Sequence, residues 1–434
     1  MLKIKNSIIA VLLSAITLVL CCACGNNDKS SGNTDNTSGA SNPTYSIGSG
    51  SSVSSEDSSS ETGTTSKNTT SANKGETYSE GNAVDLLDFD KPRDLFGETS
   101  ITIIGDSISQ GLNAVDLYDQ SWASLFKNAI SKRFGAYNIG YTSLCYTFIG
   151  SLYPTHEIHT VTVKSGTWNK FGGSEATTTP GNFAYVSPAY SGGSDLQISL
   201  NRKEGGVDRH INGFYIYYTA GATYGSFDVK VNGANVTTVD CNSKVSDTCA
   251  RSQYIALPSD CGDKLQIDII KKNTDYKIVS INGISYIDKP NTVTVNNYSL
   301  SGICLKDYDD KLLEQLCKAN IVIFTLGTND AGTETDIDLF KHKLDVVVKS
   351  CNNNGSTLIV GDVIWPRYGN SYWADSYKNA LKDCAAAANG YYVDFVTLYE
   401  ANPSSILEDS DICHPTIGGH KLIAKKLCNF FNLN

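Results

Sequence analysis

A strand–turn–helix unit recurs along this chain, and no other feature restricts its fold as much. The apolar, β-branched run Thr99 to Ile104 meets Gly105-Asp106-Ser107, and Ala114 to Phe134 follows with helical spacing of Trp122, Leu125, Phe126 and Ile130. Ala319 to Leu326 ends at Gly327-Thr328-Asn329-Asp330 and leads into a helical stretch through Leu339, Leu344, Val347 and Val348. Ser356 to Val363 is a third strand, followed by a helix over Tyr377 to Ala388. Tyr391 to Phe395 is a fourth strand and His420 to Phe431 a closing helix. Alternating strands and helices predict a parallel sheet covered on both faces, a three-layer α/β/α architecture of the flavodoxin-like kind.

The alternation breaks over residues 153–289. Short runs such as Ile211 to Tyr218 and Ser226 to Val231 alternate in polarity between Gly and Asn turns, and helical periodicity is lost. Strands of this length predict a β-sandwich. Because strand–helix alternation resumes afterwards, the sandwich is expected as an insertion between two parts of the α/β domain, 83–152 and 290–434.

The first 82 residues read differently again. Lys3 and Lys5 precede an apolar run from Ile8 to Leu20 that ends in Cys21-Cys22-Ala23-Cys24. That is the order of an export signal, and the run is short of the ~20 residues a spanning helix needs. The cysteine cluster resembles a bacterial lipobox, with Cys24 after Ala23 as the expected lipidation site, although Cys21 stands where an aliphatic residue is usual. Residues 1–24 are thus expected to be removed or lipidated, and attachment of two acyl chains would anchor the protein stably to a membrane. The expected location is the outer surface of a bacterial cell, or the medium if lipidation does not occur. Residues 25–82 are dominated by Ser, Thr, Gly and Asn, carry too little apolar surface to offset the entropy of ordering, and predict a flexible tether.

Composition excludes one class of partner. A formal charge of −10 argues against nucleic acid, which would need a basic face. Of the 13 cysteines, three lie in the export signal. Cys241, Cys249 and Cys261 are too few to pair completely among themselves, while Cys317, Cys351 and Cys384 sit in helical or strand patterns as small buried hydrophobes.

Ser107 ends a strand and begins a helix, which displays a hydroxyl on the carboxyl edge of the sheet. An N-capping turn explains the same residues. Asp411-Ile412-Cys413-His414-Pro415 puts a carboxylate and an imidazole three residues apart just before a helix. His414 there can take a hydroxyl proton as general base while Asp411 fixes its tautomer. Gly302, after Val293-Thr294-Val295, can bring a backbone N–H close to a developing oxyanion, and Asn329 lies in a strand-to-helix turn.

Together, Gly105-Asp106-Ser107, Gly302, Gly327-Thr328-Asn329-Asp330 and Asp411-Ile412-Cys413-His414 resemble, in order, the four blocks of the SGNH (GDSL-like) hydrolases. The resemblance covers about 95–150 and 290–434. It implies Ser107 as nucleophile, Asp411 and His414 as its triad partners, and an oxyanion hole of the Ser107 amide, the Gly302 amide and Asn329. Asn138-Ile139-Gly140 is a rival for the second block, but Ser143 stands where a second glycine is expected. The position of the insertion also resembles cell-wall glycan O-acetylesterases of this superfamily, in which a carbohydrate-binding-like β-domain interrupts the hydrolase. That layout implies a carbohydrate O-acetylesterase acting on an acetylated glycan. Acetyl transfer, or hydrolysis of longer acyl esters, uses the same motifs, and a glycan-binding lipoprotein with a relic hydrolase fold is a reading of another class.

Trp168, Tyr185, Tyr190 and Tyr224 offer aromatic faces to sugar rings, or fill the core of the insertion. His156 and His159 lack the His-Glu-x-x-His spacing of a zinc site, and no metal or other cofactor is expected. Cys413, between the two triad residues, reads as a packing cysteine, and His420 as the start of the last helix.

Overall fold

The computed structural model describes residues 86–87, 100–114, 119–144, 159–172, 183–204, 207–208, 210–243, 249–259, 261–272, 276–363, 371–401, 403–407, 411 and 413–433. The expected export signal, the expected lipidation site Cys24 and the tether expected over 25–82 lie outside these residues. No helix among the described residues is long and apolar enough to cross a membrane.

The chain opens with β1 (Ser100–Gly105), the short helix α1 (Ser107–Gln110) and α2 (Trp122–Phe134). Then come β2 (Ile139–Ser143), β3 (Thr160–Ser165), β4 (Asn169–Gly172), β5 (Phe183–Ser187), β6 (Asp195–Asn201), β7 (Lys203–Glu204) and β8 (Val207–Asp208). They continue through β9 (Gly213–Ala220), β10 (Ser226–Val231), β11 (Ala234–Asp240), β12 (Cys249–Ala256), β13 (Lys264–Lys271) and β14 (Val279–Ile287). Alternation resumes with β15 (Thr294–Asn297), α3 (Asp310–Leu316), β16 (Ile321–Thr325), α4 (Thr328–Gly332), α5 (Ile337–Asn354) and β17 (Thr357–Asp362). It ends with α6 (Ser371–Ala387), β18 (Tyr391–Asp394), α7 (Val396–Ala401), α8 (Pro403–Ile406) and α9 (Ile417–Phe430).

The expected parallel sheet is present, in the order β15-β1-β16-β17-β18 with every pairing parallel. Its strands are buried on both sides, as a parallel sheet covered by helices must be. Side chains alternate between two cores. Ile101, Ile103, Ile321 and Ile323 point to one, closed by Trp122, Phe126 and Ile130 of α2 and Ile423, Leu427 and Phe430 of α9. Ile104, Val322, Phe324 and Val360 point to the other, closed by Leu312 and Leu316 of α3, Leu344 and Val347 of α5, and Tyr377 and Leu381 of α6. Cys317, Cys351 and Cys384 lie in this second core, buried as their sequence context suggests. Local signals set the helix ends: Ser121 accepts the Ser124 N–H at the start of α2, and Gly135 closes it in the left-handed conformation.

Every strand from β2 to β14 lies outside the parallel sheet. Apart from the short β7–β8 pair, they form two antiparallel sheets, β11-β10-β13-β6-β3 and β12-β9-β14-β5-β4, with β2 pairing to β14. Burial in β10 alternates residue by residue, the mark of a strand with one face on a core. Both sheets contribute to one apolar cluster, through Ile198, Val229 and Ile267 from the first and Ile216, Ile281 and Tyr286 from the second. Trp168 and Tyr185 belong to that cluster and Tyr224 packs against it, whereas Tyr190 is 78% exposed. Cys241 and Cys261 are buried and Cys249 is half-buried. His159 is also a core residue, its Nδ1 3.1 Å from the Tyr286 hydroxyl, and burial lowers its pKa to about 4.

β2 lies upstream of the expected boundary at 153, and it makes the seam with the α/β part. The Tyr141 hydroxyl donates to the Asn282 carbonyl of β14 at 2.9 Å, and the Tyr141 N–H donates to Asn296 Oδ1 of β15 at 2.9 Å. The Tyr141 ring lies 5.1 Å from Tyr217 of β9 and 4.6 Å from Tyr298, just past β15. Removing this ring in Tyr141→Ala is expected to cost about 3–5 kcal/mol, the usual loss for a large buried aromatic. Urea unfolding measures it, and a loss below about 1 kcal/mol, the scale of a surface substitution, would show that the seam does not hold the two parts together.

Candidate active site

The parallel sheet reverses its direction of growth at β1: the next strand of this sheet, β15, joins one side and β16 the other. In open α/β sheets ligands bind in the crevice at such a switch point, beyond the carboxyl ends of the strands. Ser107 follows β1 and Asn329 follows β16 at this point, and the Gly302 loop follows neighbouring β15.

The turn that presents Ser107 is sharp. A Cβ on Gly105 would stand 2.5 Å from both Ser109 Cβ and Thr325 Oγ1, so only glycine lets α1 fold back this close to β16. Ser109 Oγ and Thr325 Oγ1 are then 2.6 Å apart, locking α1 to β16. Asp106 caps α1, one carboxylate oxygen accepting the Ile108 N–H at 3.0 Å. The loop after β15 is tied to the same helix: Asn297 Nδ2 donates to the Ser109 carbonyl at 2.9 Å and the Ser301 N–H to Gln110 Oε1 at 2.7 Å.

Ser107 and the acid–base loop, at opposite ends of the folded part, meet here. Ser107 Oγ lies 2.9 Å from His414 Nε2, and His414 Nδ1 lies 3.0 Å from Asp411 Oδ2. Asp411 Oδ1 accepts the Cys413 and His414 N–H groups at 3.0 and 2.9 Å. Burial pushes the Asp411 carboxyl up, but the His414 hydrogen bond and charge and the two backbone donors outweigh it and hold it well below the usual carboxylate range. With Asp411 ionised, the proton on the imidazole belongs on Nδ1, leaving the Nε2 lone pair for the serine hydroxyl.

Gly302 adopts φ +77° with open space where a Cβ would be, so the backbone angle, not crowding, calls for glycine. Asn329 is buried, and its side-chain amide donates to the Ile303 carbonyl at 3.0 Å, which joins the turns after β15 and β16. The rival Asn138 stands elsewhere. It accepts the Asp288 and Lys289 N–H groups and donates to Thr292 Oγ1 at 2.9 Å, stapling β2 to the β14–β15 connection.

Three site features carried no signal in the sequence. Asn113 donates from Nδ2 to Asp411 Oδ2 at 2.9 Å. His420, expected only to open α9, donates from Nε2 to the Leu112 carbonyl at 2.9 Å and accepts the Trp122 N–H on Nδ1. Burial lowers its pKa to about 4, which keeps it neutral. Two acids of these strand-end turns are buried: burial raises Asp106 to about 7 and Asp330 to about 6, each against the pull of backbone hydrogen bonds.

Asp411, Cys413 and His414 are the group among the described residues whose ligand atoms come close enough to hold a metal ion. Cys413 Sγ is 3.4 Å from His414 Nδ1 and 3.6 Å from Nε2, and near-equal distances put sulfur over the face of the ring. The Nδ1–H bond and the Nε2 lone pair lie in the ring plane, directed at Asp411 and Ser107, so the ring is arranged for proton transfer and not for ligation. His156 lies outside the described residues.

Residues 285–422 match the family model of the GDSL-like lipase/acylhydrolases. Over this segment, about a third of its length, the chain is similar to that family. The matched segment contains Gly302, Asn329, Asp411 and His414, and Ser107 is delivered to it from outside by β1. A solved peptidoglycan O-acetylesterase is similar over 77% of this chain and 91% of its own, with 14% identity and a TM-score of 0.54, which extends the fold likeness well beyond the matched segment. A family two carbohydrate esterase from Clostridium thermocellum, solved with cellohexaose, aligns over 62% of this chain and 100% of its own at 13% identity and a TM-score of 0.26. No curated protein matches the chain.

The two buried acids set a pH dependence opposite to that of Asp411. Unfolded, each titrates near the ordinary 3.8, whereas folded Asp106 keeps its proton to about 7 and Asp330 to about 6. The fold binds more protons across that window, so their contribution to stability falls as pH rises from about 4 to about 7. Asp411 contributes stability above its ordinary value that is lost on acidification through its lower folded value. Asp106→Asn is expected to flatten the decline in Tm between pH 4 and 7 and to raise Tm at pH 8 by a few degrees. Calorimetry across this range checks it; an unchanged slope refutes the assignment.

Proposed function

We propose that this protein is a serine esterase that removes O-acetyl groups from a carbohydrate polymer through an acyl-enzyme. The observation that carries the reading is the unbroken relay from Ser107 Oγ through the His414 ring to Asp411, with links of 2.9 and 3.0 Å. Links of this length let a proton leave the hydroxyl as it attacks.

In the proposed reaction His414 Nε2 takes the Ser107 proton while Oγ adds to the ester carbonyl. Negative charge then develops on the former carbonyl oxygen. The Ser107 and Gly302 N–H groups and the Asn329 amide, on adjoining strand ends, are suited to stabilise it. His414 returns its proton to the departing sugar oxygen, which leaves an acetyl-serine, and water activated by the same imidazole releases acetate. Asp411 stays ionised and balances the imidazolium. Nothing in these steps requires a metal or other cofactor.

The carbohydrate substrate is supported by the fold shared with the peptidoglycan O-acetylesterase and by the antiparallel sheets between β1 and β15, which we read as the inserted β-sandwich. Of the four aromatics considered as sugar platforms, Tyr190 alone has a largely exposed ring. Export and lipid attachment at Cys24 complete the proposal: a tethered esterase at the cell surface, facing an acetylated glycan. The sequence of residues 1–82 supports that part.

Acetate release from acetylated xylan, pectin and peptidoglycan tests the reading. Ser107→Ala is expected to abolish release, and Asp411→Ala or His414→Ala to reduce kcat at least 1000-fold, the scale on which such relays act (~10³ or more). Equal release by wild type and Ser107→Ala would sink the nucleophile assignment. Transfer of acetyl to added sugar instead of to water would make the protein an acyltransferase.

A further inference from the structure

We propose that Asn113 is a positioning residue of the acid–base loop: its side-chain amide clamps the Asp411 carboxylate from the nucleophile's side and so sets the orientation of His414 toward Ser107. This rests on the reading of Ser107, His414 and Asp411 as a catalytic relay.

Asp411 receives its other hydrogen bonds from its own loop. Oδ1 takes the N–H groups of Cys413 and His414, and Oδ2 takes the imidazole. Asn113 is different, reaching in from 298 residues away. Its Nδ2 donates to Asp411 Oδ2 at 2.9 Å and also lies 3.3 Å from the His414 carbonyl oxygen. One amide therefore touches both the acid's side chain and the base's main chain. A carboxylate held only by its own loop can swing with that loop. Pinned by a donor fixed to the far side of the site, it keeps one direction for the Nδ1–H bond and hence one direction for the Nε2 lone pair.

The amide can act as a clamp because its own backbone is fixed. The Leu112 N–H donates to the Ser107 carbonyl at 2.9 Å and the Ala114 N–H to that of Gly111 at 3.0 Å, so Asn113 sits in the turn that ends α1. Its φ of +69° is a left-handed conformation that Asn tolerates better than most side chains. Next to it, the Leu112 carbonyl is held by His420, which is fully buried and whose other nitrogen takes the Trp122 N–H. Asn113 and His420 thus form two adjacent ties from the segment after Ser107, one to the loop of Asp411 and His414 and one to the helix that follows it.

Asn113 has two separable duties, the left-handed turn and the donor, and two substitutions divide them. Asn113→Gly keeps the turn without strain and removes the donor. Asn113→Asp keeps shape and turn but faces Asp411 with an acceptor. In the full chain, Asn113→Gly is expected to lower kcat for 4-nitrophenyl acetate about 10- to 100-fold, the scale of a hydrogen bond to a charged group, with KM within about twofold. The phosphonylation rate of Ser107 by a fluorophosphonate should fall in parallel, and the low-field proton resonance of His414 Nδ1–H should move upfield. Asn113→Asp should lose more. Should the glycine variant fail to fold, as a thermal melt will show, the aspartate variant carries the test.

Wild-type kcat and an unmoved Nδ1–H resonance in Asn113→Gly would overturn the clamp and leave only the turn. A fall in kcat with that resonance unchanged would also count against it. The underlying reading fails separately: Ser107→Ala with undiminished esterase activity, or a wild type inert to the fluorophosphonate, removes the relay itself.

Discussion

The 2.9 Å contact between Ser107 Oγ and His414 Nε2 joins residues 307 positions apart in the chain, and the surrounding architecture bears on that distance. The serine is held by a short helix that folds back onto the sheet because Gly105 has no side chain and because Ser109 bonds to Thr325. The imidazole is held by a four-residue loop wound around one carboxylate, in front of a helix that begins at Ile417 and packs on α2 through the Phe126–Phe431 ring contact. Neither side positions the other by local sequence. Their registration comes from the rigid parallel sheet, whose two cores fix β1 and the helices on either side.

The antiparallel part is joined to this frame by more than two chain crossings. β14 is buried along its whole length, and its polar residues Ser280, Asn282 and Ser285 are part of the reason it can be. The Tyr217 hydroxyl lies 3.2 Å from Ser285 Oγ, Thr219 donates to Asn282, and the Asn282 carbonyl takes the Tyr141 hydroxyl. These bonds turn the outer face of an antiparallel sheet into an internal face. Tyr298, at the far side of the same aromatic contact, begins the loop that carries Gly302, so packing in the seam is mechanically continuous with the rim of the site.

Much of this was legible in the sequence because its signals are local. β-Branched runs ending in turns gave the parallel strands, and the loss of helical periodicity gave the antiparallel stretch. The family's short blocks named Ser107, Gly302, Asn329, Asp411 and His414, which the fold gathers around three neighbouring strand ends and one loop. What stayed hidden depends on partners distant in the chain. Asn113 reads as an ordinary turn residue until Asp411 stands beside it. Nothing in Asp106 or Asp330 announces burial deep enough to keep a carboxyl protonated near neutrality. Tyr190 and Tyr185 look alike in sequence, yet one ring is exposed and the other in the core, because Tyr185 lies within β5 and Tyr190 in the turn beyond its end.

The strand order also bears on how the molecule comes into being. β1 lies inside the sheet, yet both its neighbours, β15 and β16, are supplied by residues 294–325. During vectorial synthesis a strand destined for full burial emerges and waits for nearly two hundred residues with neither edge paired. Pairings so remote make folding slow and expose edges that can recruit other chains. The antiparallel sheets draw on strands closer together in the chain and can fold during that interval, so β1 precedes them in the chain yet is secured after them.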